Sequence, residues 1–351
     1  MDKEVTGSRQ VFLKGNDELA NEINANANRL YQLLTRFDVS SVTIADEFKD
    51  YFVNHHLGKR LFFSLQNSAH IIYQSVKMAS TPVKDISFID YGAGLGTLYM
   101  LAGMMNFKRT VYNDYLPDWQ HTARLICEAL RININEYVTG DVDAVMLHAK
   151  ENNIQYQIVA SRNVIEHIYS LPDFYQAVYK HNPKAIVFST TTANYHNPAM
   201  RLYHVYIHYK AEKTYYRRQR QEQIKKLHPL LPEDTIKKLV ALTRGKAKKD
   251  FTDAVNNFMN NQPVTKDSSL RTNTCDCNYG LWIEHLLTRK EHEQLAAGAG
   301  FKISYTAGYW DTHYRSTTMN LTAVFFNYLI SWLGEKKGAF LSPFVNIVAY
   351  S

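Results

Sequence analysis

With 351 residues, 45% of them hydrophobic, the chain can bury one large α/β core with additions, or two smaller domains. The formal charge of +7 and a pI of about 9.0 permit an acidic substrate, an anionic carrier or a nucleic acid without requiring one. Three cysteines, Cys127, Cys275 and Cys277, are too few for a disulfide framework, so a reducing compartment is the default.

The N-terminal MDKEVTGSRQ has no apolar region of the kind found in signal peptides, and residues 1–16 read as loosely attached. Residues 17–36 carry Leu19, Ile23, Leu30, Leu33 and Leu34 at helical spacing. A second helical tract covers 44–51, and a third covers 58–78 with Leu61, Phe62, Leu65, Ile71 and Ile72. This part reads as a helical lid whose His55 and His56 either line a substrate cavity or pack at a helix end.

At 86–90 a β-branched and aromatic run ends in Asp90 and is followed by Gly92-Ala93-Gly94-Leu95-Gly96 and an apolar helical segment. That pattern is strand, glycine turn, helix. In a doubly wound sheet, nucleotide-like ligands sit beyond the carboxyl end of the first strand, where glycines let the backbone approach them. A Cβ on Gly94 is expected to point into the space such a ligand needs. A dinucleotide fingerprint would require glycine at Thr97, so no pyrophosphate cradle is indicated.

A second strand at 109–113 ends at Asp114, 22 positions after Gly92, where a carboxylate can accept hydrogen bonds from ribose hydroxyls. A helix over 117–131 leads to a third strand at 136–140, which closes at Asp141 beside Val142. Asp141-Val142-Asp143 also has the D-x-D form of metal-binding glycosyltransferases, without a nucleotide-sugar context. The fourth strand, 156–161, is followed by Asn163-Val164-Ile165-Glu166-His167-Ile168, and a fifth spans 185–191.

Residues 195–279 are then inserted before a helix at 288–299, a sixth strand at 301–310, an apolar helix at 320–333 and a seventh strand at 343–350. The apolar segment 321–333 is interrupted by Asn327 and shorter than the roughly 20 residues that span a bilayer, so a soluble cytoplasmic protein is expected. Between positions 201 and 250 the insertion holds fourteen Lys/Arg against five acids. That excess reads either as solvated helix faces or as a surface for an anionic acceptor, a carrier or RNA, although no RNA-binding signature accompanies it. Cys275-x-Cys277 has neither a second pair nor suitably spaced histidines, so no zinc site is expected there.

Asp90 ahead of G-x-G-x-G, Asp114, Asp141 and the N-V-I-E-H-I segment occur in an order and spacing that resembles the class I S-adenosylmethionine-dependent methyltransferases. The N-V-I-E-H-I segment resembles the ubiquinone-biosynthesis-like small-molecule methyltransferases. The resemblance covers residues 84–192 clearly and 280–351 more loosely. It implies an α/β fold: a doubly wound, seven-stranded Rossmann-like sheet whose seventh strand slips antiparallel between the fifth and sixth. The implied organisation is an N-terminal helical lid (1–82), the cofactor-binding half of the core (83–194), a basic, mainly helical insertion after strand five (195–279) and the C-terminal part of the core sheet (280–351).

The resemblance further implies S-adenosyl-L-methionine as cofactor, with S-adenosyl-L-homocysteine as product. Asp90, Gly92, Gly94, Gly96 and Asn163 would surround it, with Asp114 on the ribose and Asp141 and Val142 at the adenine. Glu166 and His167 form the implied catalytic pair. A histidine suits the base for an oxygen or amine acceptor near neutral pH. The other reading of His167 is a loop anchor. In some ubiquinone-type O-methyltransferases the Glu-His pair and an acidic residue three positions before the Glu bind a divalent metal; here that position is Asn163, and no metal is expected.

The acceptor is expected over strands four and five, between His167, the lid near His55 and Tyr73, and the insertion. It would be a small molecule or a lipid- or sugar-linked compound, of anionic character if the insertion meets it. Two other function classes remain: an RNA or protein methyltransferase using the basic insertion, and a non-catalytic binding protein of the same fold.

Overall fold

A computed structural model of the chain describes residues 10–265 and 272–351. Residues 1–9 of the expected loose terminus and residues 266–271 of the insertion lie outside that range. Residues 10–13 are held in place. Asn24 accepts from the backbone N–H groups of Phe12 and Leu13 at 2.9 and 3.0 Å, and Phe12 stacks on Phe62 with ring centroids 4.7 Å apart.

Three helices open the chain: α1 (Glu18–Arg36), α2 (Asp46–His56) and α3 (Leu61–Ala79). Strands and helices then alternate through β1 (Ser87–Asp90), α4 (Leu98–Gly103), β2 (Arg109–Asp114), α5 (Pro117–Leu130), β3 (Glu136–Thr139), α6 (Val142–Glu151), β4 (Ile158–Arg162), α7 (Leu171–His181) and β5 (Ile186–Thr191). The insertion follows as α8 (Pro198–Ala211), α9 (Arg217–Leu227), α10 (Glu233–Leu242), α11 (Phe251–Met259) and a small hairpin, β6 (Cys275–Asp276) and β7 (Leu281–Trp282). The core closes with α12 (Arg289–Ala297), β8 (Lys302–Ala307), α13 (Thr317–Gly338) and β9 (Val345–Tyr350).

The sheet order is β3-β2-β1-β4-β5-β9-β8. The first five strands pair in parallel, and β9 runs antiparallel to both β5 and β8. This is the doubly wound seven-stranded arrangement expected above, with the last strand of the chain inserted between the fifth and sixth core strands. The N-terminal helices supply one layer, since α3 packs against β4 and β5 and α1 packs against α3.

The side-chain alternation of the strands decides which layer each residue joins. Phe88, Tyr112, Ile158, Ile186, Phe188 and Val348 pack with α1, α3, α4 and α5 on one face. Ile89, Val111, Val138, Val159, Val187, Ile347 and Ala349 pack with α6, α7 and α12 on the other. Because both faces are covered, the strands read as nearly continuous apolar runs. The insertion has a small core of its own around Ile224, Ile236, Leu239, Val240, Phe251 and Val255. No helix among the described residues is long and apolar enough to cross a membrane.

At the end of the chain, Val345, Ile347, Val348 and Ala349 are each 0–4% exposed, because β9 is hydrogen-bonded on both edges and covered on both faces. Deleting residues 343–351 is therefore expected to abolish the cooperative thermal transition followed by circular dichroism. A truncated chain that melts at the parent temperature would show that β9 is dispensable.

Candidate functional site

A cleft of about 620 Å³ runs across the carboxyl ends of β1 to β4. On its first side lies the glycine turn, where Gly92 and Gly94 have φ of +67° and +52°. A Cβ on Gly92 would come within 2.6 Å of Val164 Cγ1, so glycine is what allows the loop after β4 to cross the turn closely. Gly94 lines the cleft as well. A Cβ there would meet the Trp119 ring at 3.7 Å, an ordinary contact with the cleft wall, and the left-handed backbone is what calls for glycine. Gly96 and Asp90 do not line the cleft. Asp90 is 2% exposed beneath the turn, and burial raises its carboxyl well above the usual range, opposed by the Tyr99 N–H and the Arg162 charge.

The end of β2 organises this side. Asn113, which had been read only as a strand residue, is 1% exposed and donates to the carbonyls of Val138 at 3.1 Å and Gly140 at 3.0 Å. Its carbonyl oxygen faces the Gly92 N–H at 3.4 Å, so one amide ties together the loops after β1 and β3. Asp114 accepts from the N–H groups of Gly94 at 2.9 Å and Leu116 at 3.0 Å, one on each carboxylate oxygen. Burial pushes its carboxyl upward against those donors and the Tyr115 N–H. Asp114 lines the cleft with acceptor capacity beyond what these backbone donors take.

Asp141 caps α6 through its Oδ1, which accepts from the Ala144 N–H at 3.2 Å, and its side chain is exposed at the cleft. Val142 and Tyr91 wall the same corner. Asn163 sits in the left-handed region, with φ of +55°, its N–H bound to the Thr190 carbonyl at 2.8 Å and its side chain exposed in the cleft.

The second side is built around His167. Its Nδ1 lies 2.9 Å from the Trp282 carbonyl oxygen, which can only accept, so the neutral ring carries its proton on Nδ1 and leaves Nε2 as a free acceptor. The Trp282 N–H donates to the His167 carbonyl at 3.1 Å, Ile168 bridges Leu281, and the His285 N–H donates to the Glu166 carbonyl at 3.0 Å. The loop after β4 thus pairs with the inserted hairpin like a third short strand. Tyr169 adds to the join. Its hydroxyl bonds Asp250 and accepts from the Ala247 N–H at 3.0 Å, and its ring stacks on Trp282. Residues 247–249 and 277–281 consequently roof this half of the cleft.

Glu166 is corrected. It is 4% exposed and faces away from the cleft into a small cavity with Thr191 and His292, where burial raises its carboxyl. Its side chain does not line the cleft. The lid contribution also shifts. Tyr73 bonds Asp17 at 2.8 Å and His55 packs at a tilt against Tyr51, while Tyr51 itself, edge-on to Trp119 at 4.7 Å, reaches the cleft from α2. Arg162, also unforeseen, donates from Nη1 to Ser64 Oγ at 2.5 Å and links the end of β4 to α3. Cys275 and Cys277 are buried free thiols, and no cluster of three or more metal-ligating side chains occurs among the described residues.

The hairpin is tied to α8 by buried polar contacts. His204 is ion-paired with Glu284 and bonded to the Thr192 carbonyl at 3.0 Å, and His208 bonds the Glu284 carbonyl at 2.9 Å. Burial lowers the His204 pKa, but the Glu284 carboxylate and the Thr192 carbonyl outweigh it, and the net shift is upward from the ordinary value of 6.5. The pair's contribution to stability is therefore complete below that ordinary value and is lost as pH rises through the raised one. In Glu284→Gln, burial is opposed only by weaker partners, so His204 is expected to titrate at lower pH than in the parent when followed by proton NMR. Equal titration in the two proteins would remove the ion pair from this account.

No family model matches the chain, and no curated protein matches it. Among solved structures it is similar to an S-adenosylmethionine-dependent methyltransferase from Clostridium acetobutylicum ATCC 824, at 10% identity and a TM-score of 0.41, covering 87% of this chain and 98% of that one. It is also similar to an S-adenosylmethionine-dependent methyltransferase from Mesorhizobium loti, at 13% identity and a TM-score of 0.38, over 80% of this chain and 98% of that one. A third is the CurJ carbon methyltransferase, at 13% identity and a TM-score of 0.44, over 95% of this chain and 66% of that one. The doubly wound fold of this chain is established by its own strand order, independently of these similarities.

Proposed function

We propose that the chain transfers a methyl group from S-adenosyl-L-methionine to the oxygen or nitrogen of a small-molecule or lipid- or sugar-linked acceptor. The carrying observation is that one continuous cleft holds the glycine turn, Asp114 and Asp141 on one side and His167 under the inserted hairpin on the other. The residues present fit the cofactor. A ribose needs paired acceptors, an adenine amine needs one, and the carboxylates of Asp114 and Asp141 at the cleft supply both kinds. When bound, S-adenosyl-L-methionine supplies an electrophilic methyl carbon on a sulfonium.

The chain's own residues then hold the acceptor in line, exclude water and manage one proton. Positioning alone can account for much of such a rate enhancement. His167 Nε2 takes the proton of an acceptor hydroxyl or amine, while the Trp282 carbonyl fixes the ring and bonds the Nδ1–H of the imidazolium that results. Lys248 and Lys249, at the edge of the same cleft, favour an acceptor that carries an anionic group. Elsewhere in the insertion Arg220, Arg218, Lys225 and Lys237 are each paired with an insertion carboxylate, which leaves ten of the fourteen basic residues outside those pairs, and an RNA acceptor is the second reading. The buried free thiols accord with a cytoplasmic setting.

In calorimetry, Asp114→Ala is expected to weaken S-adenosyl-L-methionine binding by roughly ten- to a hundredfold, the worth of a hydrogen bond to a charged group. Equal affinity, or no binding by the parent, would refute the cofactor assignment. His167→Ala is expected to lower turnover by about 10² to 10⁴ with cofactor affinity nearly unchanged. Loss of cofactor binding in that variant, with turnover of the bound complex intact, would make His167 a loop anchor.

A further inference from the structure

The helix α13 is folded with its larger apolar side chains outward. Leu321, Val324, Phe325, Tyr328 and Trp332 are between 54% and 74% exposed, whereas the buried residues of its first five turns are only Ala323 and Ile330. The inner face is instead fixed by Asn327, whose amide accepts from the Trp310 N–H at 2.7 Å and donates to the Trp310 carbonyl at 2.9 Å. An exposed apolar stripe of this size on a folded chain marks an interaction surface.

We propose that this stripe pairs with α13 of a second copy of the chain about a two-fold axis. Three observations select that occupant. First, Leu321, Phe325, Tyr328 and Trp332 follow the 4-3-4 spacing of a two-helix seam, which is broken only where Gly334 leaves the helix at φ of +75°. Second, the area is right. Taking about 150–250 Å² for a large side chain, the five exposed residues offer roughly 700 Å², close to the roughly 800 Å² that each partner gives to a stable interface. Third, residues 317–334 contain no charged side chain, and the stripe is flanked by Thr317, Thr318, Thr322 and Ser331.

Depletion of charge and enrichment in Phe, Tyr and Trp is the composition of an interface core. A helix lying on a membrane carries Lys and Arg along its polar flank, whereas the basic residues of this one, Lys336 and Lys337, come only after the break at Gly334. The same surface on both copies is self-complementary, as a two-fold interface requires. The helix packs on β8 at the far edge of the sheet from the cleft, so pairing leaves the cleft open.

Sedimentation velocity of the full chain between about 1 and 100 µM is the test, with an expected dimer whose dissociation constant rises at least thirtyfold in Phe325→Glu and in Tyr328→Lys. Both positions are exposed, so both variants are expected to keep the parent melting transition, and the second serves if the first misfolds. A parent that is monomeric throughout, or a dimer that persists in both folded variants, overturns the proposal. So does a monomer that floats with phosphatidylcholine and phosphatidylglycerol vesicles in a stripe-dependent manner, which would make the occupant a lipid surface.

Discussion

The close crossing of Gly92 beneath Val164 is the contact on which the cleft depends. The Tyr91 N–H bonds the Ala160 carbonyl at 2.8 Å, the Ala93 N–H bonds the Asn113 carbonyl at 2.8 Å, and the Asn163 N–H bonds the Thr190 carbonyl at 2.8 Å. Four strand ends are thereby locked to one another within a few residues. A side chain at Gly92 would push the loop after β4 outward and carry His167 with it, because the space is already filled by a branched side chain. The glycine turn and the loop that bears His167 are thus one rigid unit, as the proposed in-line transfer between two bound molecules would demand.

The same unit explains why adjacent residues of N-V-I-E-H-I have opposite fates. The His167 N–H bonds the Val164 carbonyl at 2.8 Å, so Glu166 and His167 lie in a tight turn that directs the two side chains differently before Ile168 bridges Leu281. His167 goes to the cleft and Glu166 goes inward toward Thr191 and His292. The insertion is therefore more than a cover over the cleft. It holds the loop that bears His167, through Trp282 and the ion pair between His204 and Glu284.

Much of the fold was legible in the sequence because the parallel strands are buried on both faces and end in residues with a definite role: Asp90, Asp114 and Asn163 after apolar runs, and Gly300 before β8. The polar carboxyl ends of β1 to β4 were legible for the same reason. The hairpin was not. Its strands are two residues long, too short for alternation to register, and Asn278-Tyr279-Gly280 is the single local turn signal, with Gly280 at φ of +68°. Tyr51 and Arg162 were missed because each acts at a junction between distant segments, α2 with α5 and β4 with α3, which no local pattern records. Asn113 was missed because a polar residue one position from a strand end looks like its boundary, whereas here it fills the hydrogen-bond vacancies of two neighbouring loops.

Charge counting left two readings of the insertion open, solvated helix faces or a surface for an anionic partner. Folding spends the fourteen basic residues between positions 201 and 250 on different tasks. Arg220 is 1% exposed and bonds both Glu212 and the Val240 carbonyl, which makes it an internal strut at the junction of α9 and α10. Its charge is compensated within a few ångströms and contributes little field outside. Arg218, Lys225 and Lys237 are held in exposed local pairs, which screen one another. Of the fourteen, Lys248 and Lys249 are the two that border the cleft, and they do so because the Lys248 N–H is bonded to the Cys277 carbonyl of the hairpin at 2.8 Å. One backbone hydrogen bond thus seats two lysines at the cleft, whereas the excess of nine positive charges, which remains after all five acids are set against basic residues, is carried mostly along the helices of the insertion.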